Sequence, residues 1–410
     1  MFFCLNKDCH LVVGQRRGAI YNVKSGKVHS ISPAAVSLLT GSEGSSQTMV
    51  LSADLLKENE LQFLDHLISL GLGSFYYQQP ALDQPSTKPV QAQTLDFIWL
   101  ELTGMCNNRC LHCYADSSPE TITELPLNCC EQILREAFAA GARSVQLIGG
   151  EPLLYPHWRE LALYAKELGF EIIEIFTNAT LITEKEIAFI QEHKLQIATT
   201  LYSDKAAIHD LITQNPGSFE QTLAAIKSLL AAHVPLRIAS ILMKQNETEG
   251  ENIMKLCASL GLPPSPPDVI RPTGRGNDQT IRPNHLTTPP IQPPFFTDPL
   301  AFSRNQSYHS CLAGKVAITA TGDVIPCIFA REQILGNIHS ESLSSILAGE
   351  KLQSCWRLTK DKIEKCCGCE YRYACHDCRP LAQATAATPH WLAAPKNCLY
   401  NPALGIWEEK

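Results

Sequence analysis

The sequence predicts an α/β protein whose central part is a parallel sheet, either open or curled as a partial barrel. Three observations predict this. Strand and helix patterns alternate from residue 95 to residue 270, which is typical of strand–helix–strand units. A proline-containing polar stretch precedes this region, as expected for a linker. Cysteine, which occurs 17 times, concentrates in two dense groups, one of them directly after a predicted strand.

Composition limits the class of protein. The chain has 410 residues, of which 45% are hydrophobic and 18% are charged, so it can bury several cores and should contain two or three domains. A net charge of −7 gives no basic surface for nucleic acid. There is no run of 18 apolar residues and no signal peptide, so we expect a cytoplasmic protein without a membrane or nucleic-acid partner. In a reducing compartment, clustered cysteines favour metal sites over disulfides.

The N-terminal elements come first. Alternating apolar residues predict strands at 11–13, 19–23 and 28–31, separated by glycine-containing turns. Ser32 as N-cap and Pro33 at the first helical position predict a helix that runs to about residue 39. Apolar spacing from 55 to 70 predicts a second helix that ends at Gly71. We therefore expect a separate domain over residues 1–80, followed by a linker over 81–94.

The alternating region predicts strands at 97–102, 144–148, 171–176, 195–201, 236–242 and 268–270. Helices are predicted at 128–140, 157–168, 183–193, 218–232 and 247–260, of which the first two end at Gly141 and Gly169. The proline-rich stretch 263–299 predicts a connection. The predicted boundaries are 95–300 for this domain and 301–410 for a cysteine-rich, metal-organised module. In parallel α/β folds, chemistry gathers beyond the carboxyl ends of the strands.

The first cysteine group follows the first of these strands. Cys106, Cys110 and Cys113 form a C-x3-C-x2-C run. Three closely spaced thiolates can bind an iron–sulfur cube through three irons and leave the fourth iron open to a ligand. A zinc site, the alternative, normally needs four ligands and shows C-x2-C pairs in both halves.

A second motif, Gly149-Gly150-Glu151-Pro152, follows the second strand. Two glycines allow the backbone to approach a small ligand, and a carboxylate can meet a ligand amine. Later strand ends carry Thr177, Asn178 and Ser203, which are weaker cofactor-binding candidates because helix capping explains them equally well. Arg271, in the run Arg271-Pro272-x-Gly274-Arg275-Gly276, could neutralise a cofactor carboxylate, or could be a solvated linker arginine.

These motifs resemble those of radical S-adenosylmethionine (SAM) enzymes. Their signature is C-x3-C-x-aromatic-C, with His112 here in the aromatic position, followed by a Gly-Gly-Glu turn. The resemblance implies a partial (β/α)6 barrel like a TIM barrel. It also implies a [4Fe–4S] cluster on Cys106, Cys110 and Cys113, and binding of the methionyl amine of SAM at 149–151. An external electron donor, such as flavodoxin or ferredoxin, would reduce that cluster.

The C-terminal cysteines are similar to those of the SPASM domain, which holds two auxiliary [4Fe–4S] clusters. By that resemblance one cluster takes Cys366, Cys369, Cys375 and Cys398, and the other takes Cys311, Cys327 and Cys378. The last spacing departs from the family pattern by one residue, and the second cluster has no obvious fourth cysteine. Cys366 to Cys378 alone would also suit a zinc ribbon.

The N-terminal domain resembles the winged-helix domains that bind leader peptides in maturases of ribosomally made peptides. The resemblance implies a radical SAM peptide maturase whose partner is a precursor peptide with a leader, and whose reaction is crosslinking or backbone cleavage. Two alternatives remain. One is a sulfatase-type maturase that oxidises a residue of a folded protein, and the other is a non-catalytic zinc or electron-transfer module. No catalytic side chain is identified; His309 and Asp323 are only candidates for a general base.

Overall fold

We describe the fold from a computed structural model, which describes residues 1–41, 49–80, 92–263, 265–285 and 289–408. The chain divides into two compact units. The first comprises 1–92, 289–313 and 356–410, and the second comprises 93–288 and 314–355. The predicted domain boundaries at 80, 94 and 300 stay a prediction, because these units are defined by contacts and combine distant stretches of chain. Most of the predicted linker, 81–91, lies outside the described residues.

Strands and helices are numbered in chain order. The strands are β1 (Phe2–Leu5), β2 (Cys9–Val13), β3 (Gly18–Asn22), β4 (Lys27–Ile31), β5 (Leu51–Ser52), β6 (Gly73–Tyr76), β7 (Phe97–Glu101), β8 (Ser144–Ile148), β9 (Ile172–Phe176), β10 (Gln196–Thr200), β11 (Leu236–Ala239), β12 (Ile241–Leu242), β13 (Asp268–Val269), β14 (Lys315–Ile318), β15 (Asp323–Ile325), β16 (Gly336–Asn337), β17 (Tyr400–Asn401) and β18 (Ile406–Trp407). The helices are α1 (Pro33–Thr40), α2 (Glu58–Ser69), α3 (Leu127–Ala139), α4 (Trp158–Leu168), α5 (Glu184–Glu192), α6 (Ala206–Thr213), α7 (Ser218–Ala231), α8 (Gly250–Ser259), α9 (Pro299–Asn305), α10 (Leu343–Ala348), α11 (Glu350–Trp356) and α12 (Arg379–Thr385). Short 3-10 helices lie at Ala53–Leu55, Pro152–Leu154, Lys244–Asn246, Gly274–Asn277, Gln279–Ile281, Lys360–Lys362 and Cys366–Gly368.

The second unit is built on an eight-stranded sheet in the order β11-β10-β9-β8-β7-β14-β15-β16. Strands β7 to β11 run parallel in sequence order, as strand–helix repeats require. The predicted parallel α/β sheet is therefore confirmed, and it is partly open. The predicted strand 236–242 is interrupted, because β12 leaves the sheet and pairs with β13 in a separate two-stranded sheet.

Side chains on β7 alternate between a buried face and a face that lines a cavity. On β7, Ile98 and Leu100 are fully buried, whereas Phe97 and Trp99 line the cavity. Each fully buried aliphatic side chain stabilises the fold by about 1.5–3 kcal/mol. The sequence analysis missed helix α6, which lies between β10 and α7 and contacts the first cysteine group.

The edge of the sheet beside β7 is completed by residues that we assigned to the C-terminal module. Strand β14 pairs with β7 in parallel, and β15 and β16 follow as antiparallel strands. This pairing joins two segments more than 200 residues apart, so no local pattern in the sequence reveals it. The stretch 314–355 consequently belongs to the second unit.

The first unit contains two three-stranded antiparallel sheets, β2-β3-β4 and β5-β1-β6, with α1 and α2. The three predicted strands and two predicted helices of this region are confirmed, including the Ser32 N-cap, whereas β1, β5 and β6 were not predicted. Helix α1 ends at Gly41, which is left-handed. A core of Phe3, Ile20, Leu64 and other buried residues joins both sheets to both helices.

The hairpin of β2 and β3 also packs against the C-terminal part of the same unit. Tyr21 is fully buried and clusters with Tyr371 and Tyr400. Its hydroxyl donates a hydrogen bond to the Glu370 carbonyl (2.7 Å), and Arg372 donates one to the Val13 carbonyl (3.0 Å). Residues 1–80 thus share a core with the segment that carries the C-terminal cysteines. Among the described residues, no helix has the length and apolar character needed to cross a membrane.

Candidate active site

A cavity of about 890 Å³ opens in the second unit, within the size range of small-molecule sites. Its walls include the carboxyl ends of β8 to β11, where a parallel α/β fold exposes backbone groups that the sheet no longer pairs. Cys106, Cys110 and Cys113 all line it, together with Gly149 and Gly150. The two motifs that the sequence predicted to act together therefore meet in one cavity.

The cysteine loop is held by backbone hydrogen bonds to the end of α6. The amide N–H groups of Arg109 and Leu111 donate to the carbonyls of Thr213 (3.0 Å) and Ile212 (2.9 Å). Asn215 donates to the side-chain carbonyl of Asn108 (2.7 Å) at the same place. These hydrogen bonds define the conformation of the loop.

Two of the three sulfur atoms already accept backbone hydrogen bonds. The N–H of Asn108 lies 3.4 Å from Cys106 Sγ, and that of Ser117 lies 3.4 Å from Cys113 Sγ. Such bonds favour the thiolate that a metal requires. Burial acts in the opposite direction: it raises the pKa of Cys106 to about 12, with a smaller contribution from Glu151, and it also raises the pKa of Cys110. An iron cluster that replaces these protons would supply the missing positive charge.

The donor set suits a cluster better than a single ion. No three His, Cys, Asp or Glu side chains of the described ranges converge as the ligands of one metal ion do. A cube of four irons does not require such convergence, because each thiolate binds its own iron. Three cavity-lining thiols, two of which accept backbone N–H groups, fit this requirement.

The glycine turn needs its glycines for steric reasons. Gly149 has φ of +143°, and a Cβ on it would lie 2.4 Å from the carbonyl oxygen of Thr103. A Cβ on Gly150 would lie 2.1 Å from the carbonyl oxygen of Met105. The turn is thereby pressed against the segment that leads into the cysteine loop. Pro152 is buried and begins the 3-10 helix that follows.

The carboxylate of Glu151 is fully buried and already accepts three hydrogen bonds. The donors are the hydroxyl of Thr177 (2.7 Å) and the backbone N–H groups of Asn178 (2.8 Å) and Leu153 (3.0 Å). Burial raises the pKa of Glu151 in spite of these bonds, which lower it. In this geometry Glu151 positions the end of β9 against the glycine turn, and its predicted contact with a ligand amine stays a prediction.

Asn178 connects β9 to the cysteine loop. Its side-chain NH2 donates to Asn107 Oδ1 (2.8 Å) and lies 3.9 Å from Cys106 Sγ, and its own Oδ1 accepts two hydrogen bonds from Thr180. Thr177 and Asn178 both line the cavity. The structure therefore brings these two candidates next to the cysteines.

Ser203, a third candidate at a strand end, is engaged elsewhere. Its buried hydroxyl donates to Glu249 (2.9 Å), which also accepts from Lys205 (3.0 Å). This arrangement fixes the start of α6, and contact of Ser203 with the cofactor stays a prediction.

His112 faces Tyr202, whose hydroxyl lies 3.1 Å from His112 Nε2. Burial lowers the pKa of His112 to about 4, so the ring is neutral at physiological pH.

Arg271 lines the cavity, pairs with Asp268 (3.2 Å) and stacks over Phe329. Arg275, which belongs to the same run, has a role that was not predicted: its guanidinium donates to the carbonyls of Cys110 (2.9 Å) and Ser117 (2.7 Å). Arg275 thereby holds the cysteine loop at both ends. The glycines on either side of it were the available signal, because they let its backbone approach the loop.

The cavity also contains a charged group that the sequence analysis did not identify. Glu174 on β9 accepts two hydrogen bonds from Arg237 on β11 (2.7 and 2.8 Å) and one from Gln146 on β8. Gln146 and Glu174 are the central residues of their strands, and Arg237 is the second residue of β11. Phe97 and Trp99 line the same cavity.

The first unit holds four C-terminal cysteines near one another, which we call the four-thiol site: Cys366, Cys369, Cys375 and Cys398. Burial raises the pKa of Cys366 to about 12, Lys360 lowers it, and Cys375 and Cys398 add to the rise. Burial also raises the pKa values of Cys369 and Cys375. The N–H of Tyr371 donates to Cys369 Sγ (3.4 Å). The structure thus brings together the four residues predicted for one auxiliary cluster.

The other three predicted ligands fall in different units. Cys311 and Cys378 belong to the first unit and Cys327 to the second, so their grouping stays a prediction. His309 is buried, and its Nδ1 accepts the N–H groups of Cys311 (3.1 Å) and Leu312 (3.2 Å). It orders the loop of Cys311. Asp323, the other candidate base, accepts hydrogen bonds from Thr321 and Asn337 within its own hairpin and its neighbouring strand.

Comparison with known proteins agrees with this geometry. Residues 100–257 match the Radical SAM superfamily, and residues 311–379 match the iron-sulfur cluster-binding domain named SPASM. The chain is 27% identical to the AdoMet-dependent heme synthase of Methanosarcina barkeri, over 74% of this chain and 95% of that protein. It is 26% identical to the antilisterial bacteriocin subtilosin biosynthesis protein AlbA of Bacillus subtilis, over 68% of this chain and 66% of that protein. Streptococcus suis SuiB, solved bound to its precursor peptide SuiA, has a similar fold: the TM-score is 0.55 at 17% identity, with 97% of this chain and 99% of SuiB covered.

Proposed function

Because the chain is a radical SAM iron–sulfur enzyme of the SPASM subfamily, we propose that it modifies a ribosomally made precursor peptide that carries a leader. The observation that carries this proposal is the extent of the likeness to SuiB. The shared fold covers 97% of the chain and therefore includes the N-terminal elements as well as both cysteine groups. A relative that acts in subtilosin biosynthesis supports the same class of substrate.

The residues that would hold the SAM-binding [4Fe–4S] cluster are Cys106, Cys110 and Cys113. With SAM bound, this group supplies a 5′-deoxyadenosyl radical that abstracts a hydrogen atom from the substrate. The chain's own contribution is orientation. The glycine turn offers backbone groups to the methionyl amine, and Arg275 holds the cysteine loop closed at both ends.

Asn178 and Glu151 link the glycine turn, the end of β9 and the cysteine loop through side-chain and backbone hydrogen bonds. Any shift of one element would move the other two. Such a network keeps a bound cofactor in fixed register with the substrate, which is worth orders of magnitude in rate. The aromatic and charged residues that line the rest of the cavity, such as Trp99 and Arg237, would contact a side chain of the substrate.

Two further [4Fe–4S] clusters would lie in the SPASM domain. The four-thiol site supplies the ligands of one, and Cys311, Cys327 and Cys378 those of the other. An external flavodoxin or ferredoxin would provide electrons. The product is a crosslink or a cleaved backbone.

The leader would bind to the N-terminal elements, which we interpret as a winged-helix-like domain that adds an extended peptide to a sheet edge. The edge strands of the two sheets, β2 and β4 in one and β5 and β6 in the other, are the available places. Deletion of residues 1–80 is not a clean test of this role, because it would expose Tyr371 and Tyr400 in the remaining part of the unit.

A second candidate function is a step in haem synthesis. The observation that favours it is the match to a heme synthase over 95% of that protein's length. In this second candidate function the cavity would bind a haem precursor, and the N-terminal elements would not bind a peptide.

The test is anaerobic reconstitution with iron and sulfide, reduction with dithionite, and an assay for 5′-deoxyadenosine from SAM. A Cys106→Ala/Cys110→Ala/Cys113→Ala variant is the control. The assay is run with peptides encoded beside the gene, with the same peptides lacking their leader, and with a haem precursor. Turnover and a mass change that require the leader support the proposal.

Turnover with a haem precursor alone supports the second candidate. Leader-independent oxidation of a residue in a folded protein indicates a sulfatase-type maturase. Zinc without acid-labile sulfide indicates a non-catalytic module.

A further inference from the structure

A buried group of charges adjoins the four-thiol site and has no part in the function proposed above. Lys360, in the 3-10 helix Lys360–Lys362, is 5% exposed. Its ammonium pairs with Asp377, which also pairs with Arg379, and both of these partners are almost fully buried. Charged groups are rarely buried this completely, because desolvation costs several kcal/mol per ion.

The charges in this group do not cancel. Arg379 is tied to the backbone as well, through hydrogen bonds to the carbonyls of Trp391 (3.1 Å) and Ala393 (2.9 Å). His309 lies 3.9 Å from Asp377 in the same buried group. Two cations and one anion leave a net charge of +1 in a region that water does not screen.

The excess positive charge is directed at the thiols. Lys360 Nζ lies 3.9 Å from Cys375 Sγ, close enough for a weak charge-assisted contact with sulfur. Asp377, by contrast, faces the two cations.

We propose that Lys360 is a tuning residue for the iron–sulfur cluster of the four-thiol site, and that its buried ammonium raises the reduction potential of that cluster. A [4Fe–4S] cluster with four thiolates is negatively charged and gains one more negative charge on one-electron reduction. A nearby buried cation stabilises the reduced form more than the oxidised form. This inference rests on the proposed presence of a cluster at these four cysteines.

Four variants of the full-length chain test the sign of the effect. They are made in the Cys106→Ala/Cys110→Ala/Cys113→Ala background, so that the SAM-binding cluster is absent. Lys360→Met removes the cation, Asp377→Asn removes the anion, and the double variant removes both. Lys362→Met is the matched control, because Lys362 lies in the same short helix and is exposed.

The readout is a dithionite titration followed by EPR, in which the signal of this cluster is the one lost in Cys366→Ala. We expect a lower midpoint potential in Lys360→Met and a higher one in Asp377→Asn. In the double variant the potential returns close to the wild-type value, because a net charge of +1 from Arg379 remains. Lys362→Met leaves the potential unchanged. A purely structural ion pair would shift both single variants in the same direction, or neither, and either result overturns the inference.

If Lys360→Met alone does not retain the cluster, Asp377→Asn and the double variant decide the question, because they differ only in Lys360. A lower midpoint potential in the double variant than in Asp377→Asn supports the inference, and equal midpoint potentials overturn it. Zinc instead of iron at these cysteines overturns the inference together with the cluster assignment. A chain that holds the cluster but modifies no peptide contradicts only the proposed function.

Discussion

Replacing Arg275 tests whether the cysteine loop is held by this side chain. Arg275→Met keeps most of the apolar stem and removes the guanidinium that bridges the carbonyls of Cys110 and Ser117. A hydrogen bond to a charged group contributes about 1.5–3 kcal/mol. Since Arg275 is only partly buried, water can replace part of the loss, and we expect the loop to open more easily by about 2–4 kcal/mol.

Hydrogen exchange measured by mass spectrometry on the cluster-free, reduced chain reports this opening locally. At about 1.4 kcal/mol per factor of ten, amide hydrogens of residues 106–118 should exchange about 30- to 700-fold faster in Arg275→Met. The exchange rate in Arg275→Lys should lie between those of the wild type and Arg275→Met, because a lysine keeps the charge but lacks the planar guanidinium that bridges both carbonyls.

Arg143→Met is the matched control. Arg143 also donates to two backbone carbonyls, those of Phe138 and Ala142, at the opposite end of β8. It should accelerate exchange near its own site and leave residues 106–118 unchanged. Exchange of that loop within threefold of wild type in Arg275→Met would refute the reasoning.

Three further predictions concern other parts of the chain. Tyr21→Phe removes a buried hydroxyl that joins the N-terminal hairpin to the C-terminal segment, so the free energy of unfolding in urea should fall by about 2 kcal/mol. Tyr77 is exposed, and a loss in Tyr21→Phe no larger than the loss in Tyr77→Phe would contradict this prediction. Gly150→Ala places a methyl group 2.1 Å from a carbonyl oxygen, so the rate of 5′-deoxyadenosine formation should fall at least about tenfold. The control Gly250→Ala should leave this rate unchanged, and equal rates in the two variants would disprove the steric argument. Burial lowers the pKa of His209 from 6.5 to about 4, so the unfolded state takes up the proton first as pH falls. His209 should therefore contribute a loss of about 2 kcal/mol of stability between pH 7 and pH 5, and urea denaturation should find the pH-dependent loss smaller by about that amount in His209→Gln than in the wild type.

Much of the fold follows from local patterns in the sequence. Strand β8 was predicted with its observed ends, because five apolar or β-compatible residues lie between a charged turn and two glycines. The helix after Ser32-Pro33 was predicted because its N-cap and first turn are encoded within three residues. The pair of motifs at Cys106–Cys113 and Gly149–Gly150 was sufficient to predict one shared site, since consecutive parallel strands place their carboxyl ends side by side.

Contacts between distant segments could not be predicted in this way. Nothing near β7 in the sequence indicates that β14 completes that edge of the sheet, and nothing near Tyr21 indicates that Glu370 accepts its hydrogen bond. The role of Arg275 has the same origin, because the two carbonyls that it bridges lie about 160 residues earlier in the chain.

The sequence by itself thus determined the chemistry of the site, because thiolate spacing and glycine turns are local properties of the chain. The tertiary structure decided which side chains hold those groups in place. It turned Glu151 toward Thr177 and Asn178, and it buried Lys360 beside Cys375. The burial and the charge of a site depend on every segment that packs around it. Such contacts between distant segments produce no periodic pattern in the sequence.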